Sequence, residues 1–224
     1  MSRPSAILVR RVLDNLAVGH PPTMLGSFSG RLPAFQILIG TILSARSRDE
    51  MTERVCGVLF RKYPTPERLA RARPRQLVPI LRLIGFYRQK AKYIVRASRM
   101  IVEQHGGRVP DSFEELIKLP GVGRKVANCV LVYAFGRPAI AVDTHVHRIA
   151  NRLGWVRTKT PEETERALAE FLPKRYWLTI NELLVAHGKA VCRPIGPKCG
   201  DCSVRRWCLQ LGVRIREGHV GETP

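Results

Sequence analysis

Residues 111–136, DSFEELIKLPGVGRKVANCVLVYAFG, constrain the architecture more than any other stretch. Asp111 or Ser112 can cap a short helix, and Leu119-Pro120-Gly121-Val122-Gly123 then breaks it sharply. A second helix follows, with Val126, Ala127, Val130, Leu131 and Ala134 on one face. Two helices joined by a glycine turn form a device for holding phosphate. The glycines allow close approach of backbone to a ligand, and the amides that open the second helix favour an anion. The plain alternative is a helical hairpin with a glycine turn, which the basic Arg124 and Lys125 directly after it disfavour. Lys125 falls in the first turn, where the helix dipole disfavours a cation and should lower the amine's pKa. Such an amine can act as a nucleophile and form a Schiff base, or it can simply contact a phosphate.

The rest of the chain has the same helical grain. Ile7–Ala17 reads as a first helix, and the Gly- and Pro-rich stretch 19–30 reads as a loop. Pro33 opens an apolar helix through Phe35, Ile37, Leu38, Ile39, Ile42 and Leu43, apolar enough to be buried all round. Ser47 and Glu50 have capping-box spacing ahead of Met51, Val55, Val58 and Leu59. Thr65-Pro66 and Thr160-Pro161 each read as an N-cap with proline at the first helical position. Gly106-Gly107 and Gly136 are natural stops. No convincing run of alternating strands is present, so the fold class is all-α with short connections.

Charge narrows the partners. Lys and Arg total 38 against 18 Asp and Glu, a formal net charge of +20, which implies a polyanion. A basic protein that coats nucleic acid without chemistry fits that balance as well as an enzyme does. No stretch approaches the roughly 20 apolar residues of a membrane span. Charges at Arg3, Arg10, Arg11 and Asp14 interrupt any signal-peptide core, so the expected location is intracellular, where thiols stay reduced.

Cys192, Cys199, Cys202 and Cys208 then read as ligands, in the pattern C-x6-C-x2-C-x5-C. Zinc sites usually show two short cysteine pairs, whereas a [4Fe–4S] cluster also needs four cysteines and fits this spacing. Both remain open on spacing alone, with two disulfides as a third and weaker option where thiols stay reduced. Cys56 and Cys129 lie within apolar helical patterns and suit buried core positions. Asp143, in Ala141-Val142-Asp143-Thr144-His145, is first of all a helix N-cap, the more economical reading. Its chemical reading is a carboxylate that stabilises an oxocarbenium-like sugar or accepts a nucleophile's proton. His145 and His147 stand two apart and face different directions on a helix, so they are not read as a metal pair.

LPGVGRK, the VDTH that follows it and the four-cysteine spacing, taken in this order, closely resemble the endonuclease III family of helix–hairpin–helix DNA glycosylases. The resemblance runs from roughly residue 33 to residue 210. It implies that Lys125 is the Schiff-base lysine, Asp143 the essential aspartate, and the four cysteines the ligands of a [4Fe–4S] cluster. It implies a six-helix barrel over 26–140 containing the hairpin. A helical cluster domain would be built from 1–25 and 141–213, with a tail at 214–224. Lys125 and Asp143 would face each other across the cleft between the two. Leu119, Gly121, Val122, Gly123 and Arg124 would contact DNA. Arg193 and Lys198, in the loop between the first two cysteines, are candidates for phosphate contacts, with solvated surface charge as the plain alternative. Ser44–Ser47 and Ile84–Tyr87 would be loops that enter the duplex and fill the gap left by a flipped nucleotide.

The chain departs from the family at two of these positions. Arg46 stands where a glutamine is usual and Phe86 where a leucine is usual, which bears on the range of damaged bases. The implied activity is excision of damaged, chiefly oxidised, pyrimidines from double-stranded DNA with strand cleavage by β-elimination, performed by a monomer. A mismatch-specific monofunctional glycosylase on the same scaffold is the nearest alternative, and such relatives lack the lysine. A non-catalytic zinc and DNA-binding protein is the alternative from another class.

Overall fold

A computed structural model describes residues 4–18 and 21–213; the tail expected at 214–224 lies outside the described residues. Among the described residues every regular element is helical, as expected for an all-α chain. They divide into two compact units. One holds the described N-terminal residues up to Pro21 with Val142–Pro173 and the described residues from Ile180 to Val213, and the other holds Pro22–Ala141 with Lys174–Thr179.

The second unit carries α2 (Met24–Phe28), α3 (Ala34–Ser44), α4 (Asp49–Lys62), α5 (Pro66–Ala70), α6 (Pro74–Leu81), α7 (Tyr87–His105), α8 (Phe113–Leu116) and α9 (Arg124–Phe135). Helix α3 is its centre, packed by α9, α4 and α7, and Ile37, Leu38, Ile39 and Leu43 on it are buried. Each such side chain removed from water contributes roughly 1.5–3 kcal/mol. Helices α5 and α6 lie against α7. Cys56 and Cys129 are buried as expected, and burial pushes the Cys56 thiol up to about 12, so it stays protonated and inert.

Local signals held where the cap is local. Thr65 and Thr160 accept from Arg68 N and Glu163 N at 3.4 and 3.2 Å, each with proline opening the helix. Gly106 and Gly136 end α7 and α9 in the left-handed conformation. Three expectations need correction. The stretch 19–30 is not all loop: α2 occupies its middle because Met24, Leu25 and Phe28 share one face and bury it, with Thr23 as cap. Ser47 does not cap α4; Arg48 stands at that position, and the Ser47 hydroxyl is engaged elsewhere. Helix α9 buries every residue from Val126 to Tyr133 rather than one stripe, because α2, α3 and α8 all pack on it.

The first unit contains α1 (Ala6–Leu16), α10 (Thr144–Leu153), α11 (Pro161–Ala169) and α12 (Ile180–Ala190). Helix α10 packs on α11 and α12, and α12 also on α1, which buries Val9, Val12, Leu13 and Leu16. The cysteine-bearing loop follows α12 and includes a 3₁₀ turn at Arg205–Trp207.

Candidate active site

The hairpin is built as the glycines demand. Ser112, not Asp111, caps α8, accepting from Glu115 N at 3.4 Å; Asp111 pairs with Arg137. The turn closes through Leu119 N to Leu116 O at 3.1 Å and Val122 N to Leu119 O at 3.0 Å. Gly121 sits at φ +84, and a Cβ there would lie 2.9 Å from Tyr93 Cβ. Gly121 is therefore required by packing against α7 as much as by the turn. Gly123 differs: it is extended, a Cβ there would meet nothing within 4 Å, and it caps α9 without a side chain. The side chains of Leu119 and Val122 are buried, so at these two positions the surface of the hairpin is offered by backbone. Arg124 is exposed, its guanidinium 4.8 Å from the Phe113 ring centroid. Lys125 follows in the first turn of α9, half-buried.

Asp143 does cap α10. Its Oδ1 accepts from both His145 N at 2.8 Å and Val146 N at 2.9 Å. One oxygen thus makes both capping bonds and Oδ2 takes part in neither, so capping and carboxylate chemistry are compatible in one side chain. The two histidines beyond it have separate partners: His145 Nδ1 lies 3.1 Å from Arg148 Nη2, and His147 Nδ1 lies 2.7 Å from Thr164 Oγ1.

The four cysteines line one pocket of the first unit, together with Arg152 and His187. Desolvation, and the proximity of the other cysteines, raise the Cys202 and Cys208 thiols, so these two ionise at a cost unless a cation compensates. Backbone also reaches the sulfurs, with Gln210 N donating to Cys208 Sγ at 3.4 Å. Among the described residues, no three or more of the His, Cys, Asp and Glu side chains are already gathered into metal-binding geometry. The donor set fits a thiophilic centre in kind and in number.

Two arginines of α10 hold this loop and were not singled out by sequence. Arg148 donates to Cys192 O at 2.8 Å and Gly188 O at 3.3 Å. Arg152 is buried and donates to Arg193 O at 2.7 Å, Pro194 O at 3.0 Å and Cys192 Sγ at 3.4 Å. Their signal was present: Arg148 and Arg152 are four apart, with Arg152 between the apolar Ile149 and Leu153. Arg193 and Lys198 themselves are exposed on the loop.

The two loops expected to enter DNA meet. Arg46 and Phe86 are both exposed and both at positive φ, 55 and 57. The Arg46 guanidinium carbon lies 5.4 Å from the centroid of the Phe86 ring.

Residues 39–174 match the HhH-GPD superfamily of base excision DNA repair proteins. The chain belongs to that family. It is 55% identical over 174 residues to endonuclease III of Thermotoga maritima, covering 78% of this chain and 82% of that protein. It is 41% identical over 187 residues to endonuclease III of Bacillus subtilis, covering 83% and 85%. A solved endonuclease III, trapped as a covalent intermediate with DNA, superposes with a TM-score of 0.82 at 35% identity, covering 92% of this chain and 97% of that one. The matched span contains the hairpin, Lys125 and Asp143, while the four cysteines follow it. As a family member the chain is a DNA repair enzyme, and no helix among the described residues is long and apolar enough to cross a membrane.

Proposed function

We propose that the chain removes damaged, chiefly oxidised, pyrimidines from duplex DNA and cuts the strand 3′ to the resulting abasic site. It is a bifunctional DNA glycosylase and abasic-site lyase of base excision repair. The observation that carries the mechanism is Lys125, standing in the first turn of the helix that follows the glycine hairpin. A relative 35% identical has been captured as a covalent DNA intermediate, which supports an amine-based route.

The hairpin backbone and Arg124 hold phosphate, and Arg46 and Phe86 fill the stack as the damaged nucleotide is extruded. Lys125 Nζ attacks C1′ and the bond from C1′ to the base breaks, the base leaving with the electron pair. Asp143 stabilises the cationic sugar and takes the proton that the amine loses. The C1′–O4′ bond then opens, O4′ taking a proton, to leave the Lys125 imine; loss of a C2′ proton to water breaks the bond from C3′ to its oxygen, and the 3′ strand leaves with a 5′-phosphate. Cys192, Cys199, Cys202 and Cys208 hold a [4Fe–4S] cluster whose role is to fix the fold of the loop that presents Arg193 and Lys198 to phosphate. The enzyme acts as a monomer inside the cell.

Purified protein is expected to carry iron and sulfide. It should nick duplexes bearing an oxidised pyrimidine well above its rate on undamaged duplex. Iron-free protein that binds such duplexes but leaves them intact would refute the reading.

A further inference from the structure

Lys90 lies in the first turn of α7, only 5% exposed, and its ammonium is buried against the opposite loop. It donates to Leu43 O at 2.8 Å, Ala45 O at 2.6 Å and Ser47 Oγ at 3.1 Å. All three acceptors belong to the end of α3 and the loop carrying Arg46. The backbone N–H of Lys90 donates to Phe86 O at 3.0 Å, so the same residue also fixes the other loop. Ser47 Oγ returns the link by accepting from Gly85 N at 3.2 Å. The loops approach so closely that a Cβ on Gly85 would fall 2.9 Å from Arg46 O.

A buried cation is costly unless each of its protons is bonded, and three acceptors meet that need. A methionine would fill the same volume without the desolvation cost. What the lysine adds is the cross-loop tie. Strain at the loop tips points the same way. Only three described residues other than glycine have positive φ, and two of them are Arg46 and Phe86. Such a conformation is strained for a residue that carries a Cβ and persists only where the surroundings enforce it.

We propose that Lys90 is a positioning residue for strand entry: it locks the two loops together so that Arg46 and Phe86 present one preassembled stacked insert to the duplex. The inference rests on the reading that these loops enter DNA. Flipping a paired damaged base needs the insert, whereas a preformed abasic site has already lost part of the stacking that must be broken.

The test compares single-turnover excision of a paired damaged pyrimidine with cleavage of a preformed abasic site in the same duplex. Lys90→Met is expected to lower the first about tenfold more than the second, a part of the cost of extruding a stacked nucleotide. Ser47→Ala, a milder change that keeps the lysine, should shift the ratio in the same direction. Phe86→Ala should also shift it, and Lys90→Met added to Phe86→Ala should give little further shift, because both remove one insert. Lys90→Arg, which keeps a buried donor, should restore part of the ratio. Equal losses on both substrates, or losses that multiply with Phe86→Ala, would reduce Lys90 to a cap on α3 and overturn the inference. An unchanged ratio in Phe86→Ala would instead overturn the reading that the loops enter DNA, and this inference with it.

Discussion

Asp143 shows how one side chain can serve folding and chemistry together. Oδ1 makes both capping bonds, and an asparagine can place its carbonyl oxygen in the same position. Asp143→Asn is therefore expected to keep stability within about 0.5 kcal/mol in urea unfolding, while Asp143→Ala loses about 1 kcal/mol with the cap. Base excision should fall on the order of 100-fold in both, since neither can stabilise a cationic sugar. Excision that follows stability, intact in Asn and impaired only in Ala, would leave Asp143 as a cap alone. The cap was legible from sequence because its partners are two and three residues away. Ser47 shows the opposite case. Its spacing to Glu50 is that of a capping box, yet its hydroxyl meets Gly85 and Lys90, 38 and 43 positions along the chain. Local spacing carries no information about such a competitor. Lys90 was missed for the same reason, since in the sequence it is one more basic residue of a strongly basic chain.

At the scale of elements, the hairpin separates two uses of glycine that sequence cannot distinguish. Gly121 is at positive φ and its missing Cβ makes room for Tyr93, while Gly123 is extended and open on the side where a Cβ would point. Gly121→Ala should destabilise the fold by about 1–2 kcal/mol, with a lower Tm and DNA affinity reduced only as the fold is lost. Gly123→Ala should leave Tm nearly unchanged yet weaken DNA binding, if backbone there approaches phosphate. Equal behaviour of the two variants in both assays would contradict this division. Helices with local caps or strong apolar periodicity were legible in order and type. Helix α2 was hidden because its Gly- and Pro-rich setting looks like loop, and only burial of Met24, Leu25 and Phe28 makes it a helix. Helix α9 looked one-sided because the sequence does not show that α2, α3 and α8 all pack on it.

For the whole molecule, a net charge of +20 supplies long-range attraction to a polyanion, and the units supply what charge alone lacks. One unit presents the hairpin with Lys125 and the tied Arg46–Phe86 loops, and the other presents Asp143 and the cysteine loop braced by Arg148 and Arg152. Motif order made the reaction class legible. The exchange of segments between units was not, since Lys174–Thr179 joins the hairpin unit through tertiary contacts that no local pattern announces. The central claim is that Lys125 becomes covalently joined to the sugar, and borohydride trapping on a duplex containing an oxidised pyrimidine tests it most directly. The wild-type protein should give a reduced protein–DNA adduct. Lys125→Gln should give none and should not cut the strand, while still binding the duplex, because one lost charge removes one counterion-release contribution among many. Base release by the wild type without any adduct, or an adduct of undiminished yield from Lys125→Gln, would contradict the account.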